Sequence, residues 1–421
     1  MKKEQTNGAK NDADFLCKKE REPMEFHISD KMANMKGSII RELFKLANDP
    51  AIIAFGGGNP SPATFPVEAI REITDRVFRE NPTSMLQYSV SEGYPPLRET
   101  VKNYIRETFR IDQPFNEILI TSGSQQAADL LSKCLLNEGD TVICEDPSFI
   151  GCLNTFRSYG AHLVGVPTEE DGMNIEKLEE ALKANPKTRF IYIIPTFQNP
   201  SGITTSWEKR EKIYRLAQKY DVMIMEDNPY GELRFEGEDI LPIKSIDTDG
   251  RVAYCGSFSK VMAPAFRVGF ICVHHDLFGK MVIGKQCTDV QTTTLFQYIC
   301  NEYMTKYDFK EHIAENCALY RHKCKLMLSE MEKNFHPSVR FTRPQGGMFI
   351  MAFLPEGYDS QPFVKDAIAN KVACVPGVAF LADANGVSNA FRLNFSTPSD
   401  EDIVKGIEIL GRMTYQLLEN K

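Results

Sequence analysis

Between about residues 117 and 273 the chain alternates short apolar, β-rich runs with longer stretches of helical period. The apolar runs cover 117–121, 141–144, 162–166, 190–194, 222–225, 252–255 and 268–273. Helical patterns fall near 125–137, 148–159, 175–184 and 206–219. The runs are apolar at nearly every position rather than at every second one, which is the pattern of strands buried on both faces. Alternation of this kind predicts an α/β fold, with a mostly parallel seven-stranded sheet covered by helices. After about residue 300 the order changes. Long helical stretches at 295–307 and 309–335 precede short runs at 339–341, 347–353, 373–375 and 391–395, and a helix closes the chain at 399–418. This part reads as a smaller α+β domain.

Upstream, Ser38 is placed to cap a helix at 38–46, and 51–55 is a short apolar run ending in Gly56-Gly-Gly-Asn-Pro-Ser-Pro62. A helical pattern covers 67–80, and the turn at 87–94 leads into another helix through about 109. Residues 1–25 are polar and read as disordered. The division expected is an N-terminal arm at 26–60 that joins the small domain, a large domain at 61–298 and a small domain at 299–421.

Composition narrows the class. At 421 residues the chain exceeds one ordinary core. A net charge of −8 argues against nucleic-acid or basic membrane-surface binding. No run approaches the roughly 18 apolar residues of a membrane span. The N-terminus lacks the apolar core of a secretory signal. The eleven cysteines form no C-x-x-C pair, and Cys144, Cys255, Cys272 and Cys374 lie in apolar runs. They read as buried reduced thiols of a cytoplasmic protein. The seven histidines have no metal-binding spacing, and His274-His275 reads as a strand-end surface pair, so no metal site is expected.

Ligands of doubly covered parallel sheets bind beyond the carboxyl ends of the strands, so residues directly after the apolar runs matter most. After 117–121 comes Ser122-Gly-Ser-Gln-Gln-Ala-Ala-Asp129, a glycine turn into a helix whose N-terminal N–H groups suit an anion. Serine there also caps helices without further function. After 190–194 comes Pro195-Thr-Phe-Gln-Asn-Pro-Ser-Gly202, where Asn199 can donate to a ligand oxygen. After 222–225 comes Glu226-Asp-Asn-Pro-Tyr230. An ionised Asp227 against a pyridine nitrogen keeps that nitrogen protonated, and Tyr230 can bond the ring's phenolic oxygen. After 252–255 comes Gly256-Ser-Phe-Ser-Lys260, with Arg267 seven positions on. A lysine set between two strands, with its pKa lowered by desolvation, is a nucleophile toward carbonyl compounds, pyridoxal phosphate among them. Ser257, Ser259 and Arg267 are the groups a phosphate needs beside it.

Taken in order, these motifs resemble the fold-type I, class I/II pyridoxal-phosphate aminotransferases, and most the branch holding the 2-aminoadipate and kynurenine aminotransferases. The resemblance runs from about residue 30 to the C-terminus. It rests on Ser-x-Ser-Lys with Arg seven on, Asp-x-x-Tyr, Gln-Asn-Pro-Ser-Gly, Gly-Ser-Gln-Gln, Tyr-x-x-x-x-Gly-Tyr-Pro-Pro-Leu-Arg and Arg392-Leu-Asn-Phe395. It implies an aspartate-aminotransferase-like fold with pyridoxal 5′-phosphate as cofactor. It makes Lys260 the Schiff-base lysine, Asp227 the pyridinium partner, and Asn199 and Tyr230 ligands of the ring oxygen. Ser124, Gln125, Ser257, Ser259 and Arg267 become phosphate ligands. Tyr88 is similar to the tyrosine that reaches the phosphate of the neighbouring subunit, which implies a homodimer with shared active sites. Phe149 sits where an aromatic stacks on the ring, without the hydroxyl many relatives carry there. Pro264-Ala-Phe-Arg267 stands in place of Pro-Gly-Leu-Arg.

By the same resemblance Arg392 anchors the substrate's α-carboxylate, Gly58 lets the backbone approach the substrate, and Arg41 is similar to a helix arginine used on a distal carboxylate. The implied reaction moves an amino group from a 2-aminoadipate, aromatic or branched-chain L-amino acid to a 2-oxo acid such as 2-oxoglutarate. Two rivals share these residues. One is other chemistry of the same cofactor: C–S lysis, racemisation or decarboxylation. The other is a ligand-sensing domain of a regulator. The roughly 30 polar residues before the matching region show no helix-turn-helix pattern, which weighs against the second.

Overall fold

The computed structural model of the chain describes residues 24–33 and 51–419. The helix expected at 38–46, with Arg41 in it, lies outside the described residues, as does nearly all of the segment read as disordered. In chain order the strands are β1 Ile53–Ala54, β2 Asn116–Thr121, β3 Thr141–Asp146, β4 His162–Glu169, β5 Gly172–Met173, β6 Thr188–Ile193 and β7 Met223–Asp227. They continue with β8 Val252–Ser257, β9 Gly269–His274, β10 Arg340–Phe341, β11 Phe349–Phe353, β12 Val372–Ala373, β13 Val375–Pro376 and β14 Ala390–Asn394.

The main sheet has the order β2-β9-β8-β7-β6-β3-β4-β5. All seven strands expected there form, and the short β5 adds an eighth as a hairpin on β4. From β8 through β7, β6 and β3 to β4 the neighbours are parallel. β9 runs antiparallel to both β8 and β2. The helices Ser124–Leu135, Ile150–Ser158, Ile175–Ala184 and Trp207–Lys219 supply the crossovers.

Side chains of one strand point to opposite faces in turn, and both faces are covered. On β6, Phe190 and Tyr192 join the larger core, while Ile191 and Ile193 join a second core under the helices Ile175–Ala184 and Trp207–Lys219. From Phe190 to Ile193 neither face of β6 meets water. This is why the strands read as unbroken apolar runs rather than alternating ones.

A second sheet, of order β10-β11-β14-β13, is antiparallel throughout. β1 pairs in parallel with β12, tying residues 53–54 to this later part of the chain. The run expected at 373–375 is split: β12 ends at Ala373, β13 begins at Val375, and the two join different sheets. A helix at His275–Gln286, capped by His274 Nδ1 accepting from the Asp276 N–H, was not legible beforehand.

Because the five parallel strands share one direction, the loops after β3, β6, β7 and β8 leave the sheet at one edge. The loop after β2 and the approach to β9 reach that same edge, since Gly269 lies opposite both Thr121 and Ser257. Buried polar groups fix these loops. Arg210, fully buried, donates to the carbonyls of Pro195, Thr205 and Leu241. Glu145 Oε2 accepts from the Ile194 N–H at 2.9 Å, and Gln198 Oε1 accepts from the Ser201 N–H. Glu226 accepts from the N–H groups of Ile243 and Lys244 and shapes the return to β8.

Gly269 is where the approach is closest. A Cβ there would lie 2.9 Å from the Gly123 carbonyl carbon, the Gly256 oxygen and the Ser124 nitrogen. These are backbone atoms that cannot step aside cheaply. Gly269→Ala should therefore cost about 1–3 kcal/mol in urea unfolding, the usual range for overpacking. Stability equal to the parent's would show that the 122–124 loop is free to move.

Candidate active site

The strand-end loops bring most of the singled-out residues together. Asp227, the last residue of β7, is buried at 2% exposure. Its Oδ2 accepts from the Tyr192 hydroxyl at 3.1 Å. Its Oδ1 is buried and has no hydrogen-bond partner among the described residues. Burial raises the Asp227 carboxyl to about 7, against the Tyr192 hydrogen bond and the charge of Lys260, which both lower it. Three residues on, Tyr230 is buried, and its hydroxyl accepts from Asn199 Nδ2 at 3.4 Å.

Lys260 follows β8 by three residues. Its Nζ donates to the Gly58 carbonyl at 2.6 Å. Gly58 thus meets the lysine through its backbone, and a Cβ on it would touch only Phe349, at 3.7 Å. The Lys260 ammonium is pushed down to about 8. Desolvation is the main cause, the charges of Arg392 and Arg267 add to it, and Asp227 opposes it. Lys260 therefore feels three other charged residues, Arg392, Arg267 and Asp227.

Arg392, on β14, is buried at 2% exposure. Its Nη1 donates to Asn199 Oδ1 at 2.8 Å, and its Nη2 to the Gly56 carbonyl at 2.8 Å. Asn199 therefore joins Arg392 to Tyr230. The Phe349 ring lies 4.3 Å and the Phe380 ring 5.0 Å from the guanidinium carbon. The Nε is buried without a partner among the described residues. Desolvation lowers this guanidinium to about 10. A group that is costly to bury and is left with open donors is suited to an anionic ligand.

A second cluster surrounds the start of the helix Ser124–Leu135. Gly123 has φ +81°, and a Cβ there would lie 2.3 Å from Arg267 Nη2, so only glycine lets the guanidinium lie against this turn. Arg267 donates to the Ser122 carbonyl at 3.2 Å and to Ser259 Oγ at 3.4 Å, and it is otherwise exposed. Ser257 Oγ accepts from the Ser259 N–H. Ser124 opens the helix, and its side chain is half-buried. Helix N–H groups, hydroxyls and a guanidinium gathered at one turn suit an anion. The side chain of Gln125 is turned elsewhere, donating to the Gly151 carbonyl and to Thr155 Oγ1 at 2.6 Å. Phe149 precedes the helix Ile150–Ser158 and is half-buried against the same Gly151.

Tyr88 is not brought to this cluster: it is 81% exposed. Three residues that touch the named site residues were missed by sequence reasoning: Tyr192, Phe349 and Phe380. Each sits in a stretch whose other residues are core, and no spacing separates a working aromatic from a packing one. The only signal was a phenol in the otherwise apolar run at 190–194.

The family model described as aminotransferase class I and II matches residues 50–410. An aromatic-amino-acid aminotransferase of Thermococcus litoralis is 41% identical over 390 residues, 92% of this chain and 93% of that protein. The crystal structure of a kynurenine aminotransferase of Pyrococcus horikoshii, in complex with PMP, has a TM-score of 0.89 and 39% identity, covering 93% of this chain and 97% of the other. That of an α-aminoadipate aminotransferase of Thermus thermophilus, complexed with N-(5′-phosphopyridoxyl)-L-leucine, has a TM-score of 0.87 and 36% identity, covering 94% and 98%. With the family match spanning most of the chain and relatives this close along nearly its full length, the chain belongs to the class I and II aminotransferases.

Proposed function

We propose that the strand-end cluster holds pyridoxal 5′-phosphate, and that Lys260, Asp227 and Arg392 carry out transamination on it. The observation that carries this reading is Asp227 Oδ1, a buried carboxylate oxygen without a partner. An unsatisfied buried polar atom costs about 1–3 kcal/mol, and a ring N–H⁺ supplies the missing donor. The anion site at Gly123, Ser257, Ser259 and Arg267 fits the phosphate, and Asn199 and Tyr230 fit the ring oxygen.

When bound, the cofactor supplies a carbonyl that takes up the amino group and a ring that accepts electron density from the substrate's α-carbon. The chain's own residues do the rest. Asp227, ionised and shielded from water, holds a proton on the ring nitrogen. Lys260, pushed down to about 8, gives up its proton far more readily than an ordinary lysine and moves the α-proton at Nζ, as base and then as acid. Arg392 binds the α-carboxylate through its planar fork, which lies beside the rings of Phe349 and Phe380.

The donor we propose is of 2-aminoadipate, aromatic or branched-chain type, with 2-oxoglutarate as acceptor. The names of the relatives support this. The active assembly we propose is a homodimer. Tyr88 stands exposed between exposed Leu86 and Val90, on a loop anchored by the Ser89 N–H to Gln291 Oε1. It is thus held out where a second subunit would meet it. A cytoplasmic setting fits the cysteines, which are free thiols throughout the described residues. No helix among those residues is long and apolar enough to cross a membrane.

Neutral amine is the form that attacks a carbonyl, so capture of an aldehyde by Lys260 in the cofactor-free chain should speed up with rising pH and level off above about 8. A midpoint near the ordinary lysine value of 10.5 would mean that burial does not act on this amine. Lys260→Ala should lower transamination by at least about 10²–10⁴-fold, the share of a general acid–base group; turnover within tenfold of the parent would remove the lysine from the reaction. Asp227→Ala should still bind the cofactor and lose most of kcat, and an unchanged kcat would reject the pyridinium role.

A further inference from the structure

Asp227 has two oxygens in unlike surroundings, and one side chain makes the difference. Tyr192 lies on β6, opposite Met225 of β7. Met225 and Asp227 are two apart on one strand and so share a face, which brings the Tyr192 hydroxyl to Asp227 Oδ2 at 3.1 Å. Tyr192 is fully buried. Its ring is fixed edge-on to Phe156, with centroids 5.2 Å apart and planes at 73°. With that oxygen occupied, Oδ1 is the one left without a donor.

We infer that Tyr192 is the positioning residue of Asp227: its hydroxyl pins Oδ2, leaves Oδ1 as the oxygen that faces the ring nitrogen, and favours the ionised carboxylate. The inference rests on the proposed role of Asp227 and adds a residue that does not itself touch cofactor or substrate. Toward the Asp227 carboxylate the phenol is the donor. Burial and the neighbouring Asp227 and Cys152 groups hold its own proton far above the ordinary tyrosine range. The Asp227 carboxyl is pulled in two directions, upward by desolvation and downward by this hydrogen bond and by Lys260. Without the bond, desolvation faces Lys260 alone, and the proton shared between Asp227 and a ring nitrogen moves toward the carboxylate. The fold does not demand a hydroxyl at this position. Phe190 fills the equivalent face of the same strand two residues earlier, and it packs on the same Phe156 ring.

Two titrations test this without reading activity. In the cofactor-free chain, the ¹³C signal of the Asp227 carboxyl should titrate near 7 in the parent and about one to two units higher in Tyr192→Phe, the size of a hydrogen bond to a charged group. In the holoenzyme, the ¹⁵N signal of the labelled ring nitrogen should show the protonated form over a narrower pH range in Tyr192→Phe than in the parent. Replacing Tyr192 by 3,5-difluorotyrosine, a more acidic donor of nearly the same shape, should move the Asp227 midpoint downward. Cys152→Ala changes the packing around the same hydroxyl while keeping the donor, and should leave both midpoints within about half a unit.

Unchanged midpoints in Tyr192→Phe would overturn the inference. So would an equal shift in Cys152→Ala, because packing rather than the hydrogen bond would then be the cause. A ring nitrogen that loses its proton in Asp227→Ala but keeps it unaltered in Tyr192→Phe leaves the role of Asp227 standing and removes only that of Tyr192. A ring nitrogen that stays protonated in Asp227→Ala removes the underlying reading itself.

Discussion

The site depends on burying a carboxylate at the end of a β-strand and leaving one of its oxygens unmatched. Transfer of an ionised group into a protein interior is costly, and the chain does not relieve that cost fully from within. Asp227 receives one hydrogen bond, from Tyr192, and feels the charge of Lys260. Arg392 is likewise buried with its Nε unpaired. Both groups are left to be completed by something that binds. The same desolvation that raises Asp227 lowers Lys260, so one physical cause brings both groups toward neutral pH.

The rest of the fold holds those groups in place. A parallel sheet covered on both faces delivers successive loops to one edge, and that is how residues from 122 to 267 come to share a site. The second sheet contributes Arg392 from β14, and Asn199 links it to Tyr230. Asn199 is held in turn by a loop that Arg210 and Glu145 tie down from the buried side. The chain before β2 returns to the same site, where the carbonyls of Gly56 and Gly58 accept from Arg392 and Lys260. A small backbone shift at any of these points would reach the reacting groups.

Much of this was legible from the sequence. Strands buried on both faces announce themselves as unbroken apolar runs, and the seven main strands lie within two residues of expectation except β4, which runs three residues further, to Glu169. The residues after them were legible because a polar or glycine-rich cluster directly after an apolar run has few structural reasons to be there. Side-chain direction was not legible. Gln125 has the right neighbours, yet its amide points to Gly151 and Thr155. Tyr192, Phe349 and Phe380 look like core until the fold sets them against Asp227 and Arg392. The split between β12 and β13 was hidden because Val372 to Val375 is continuously apolar although the strand changes sheets.

We propose that these buried, incompletely paired groups are arranged for amino transfer rather than for another chemistry of the same cofactor. The direct measurement is a single half-reaction: holoenzyme mixed with an L-amino acid, such as 2-aminoadipate, without any oxo acid, followed by absorbance and product analysis. Transamination predicts one equivalent of 2-oxo acid per active site, with the amino group retained on the cofactor and no free ammonia. Release of ammonia, carbon dioxide or the D-amino acid in place of that single equivalent would contradict it.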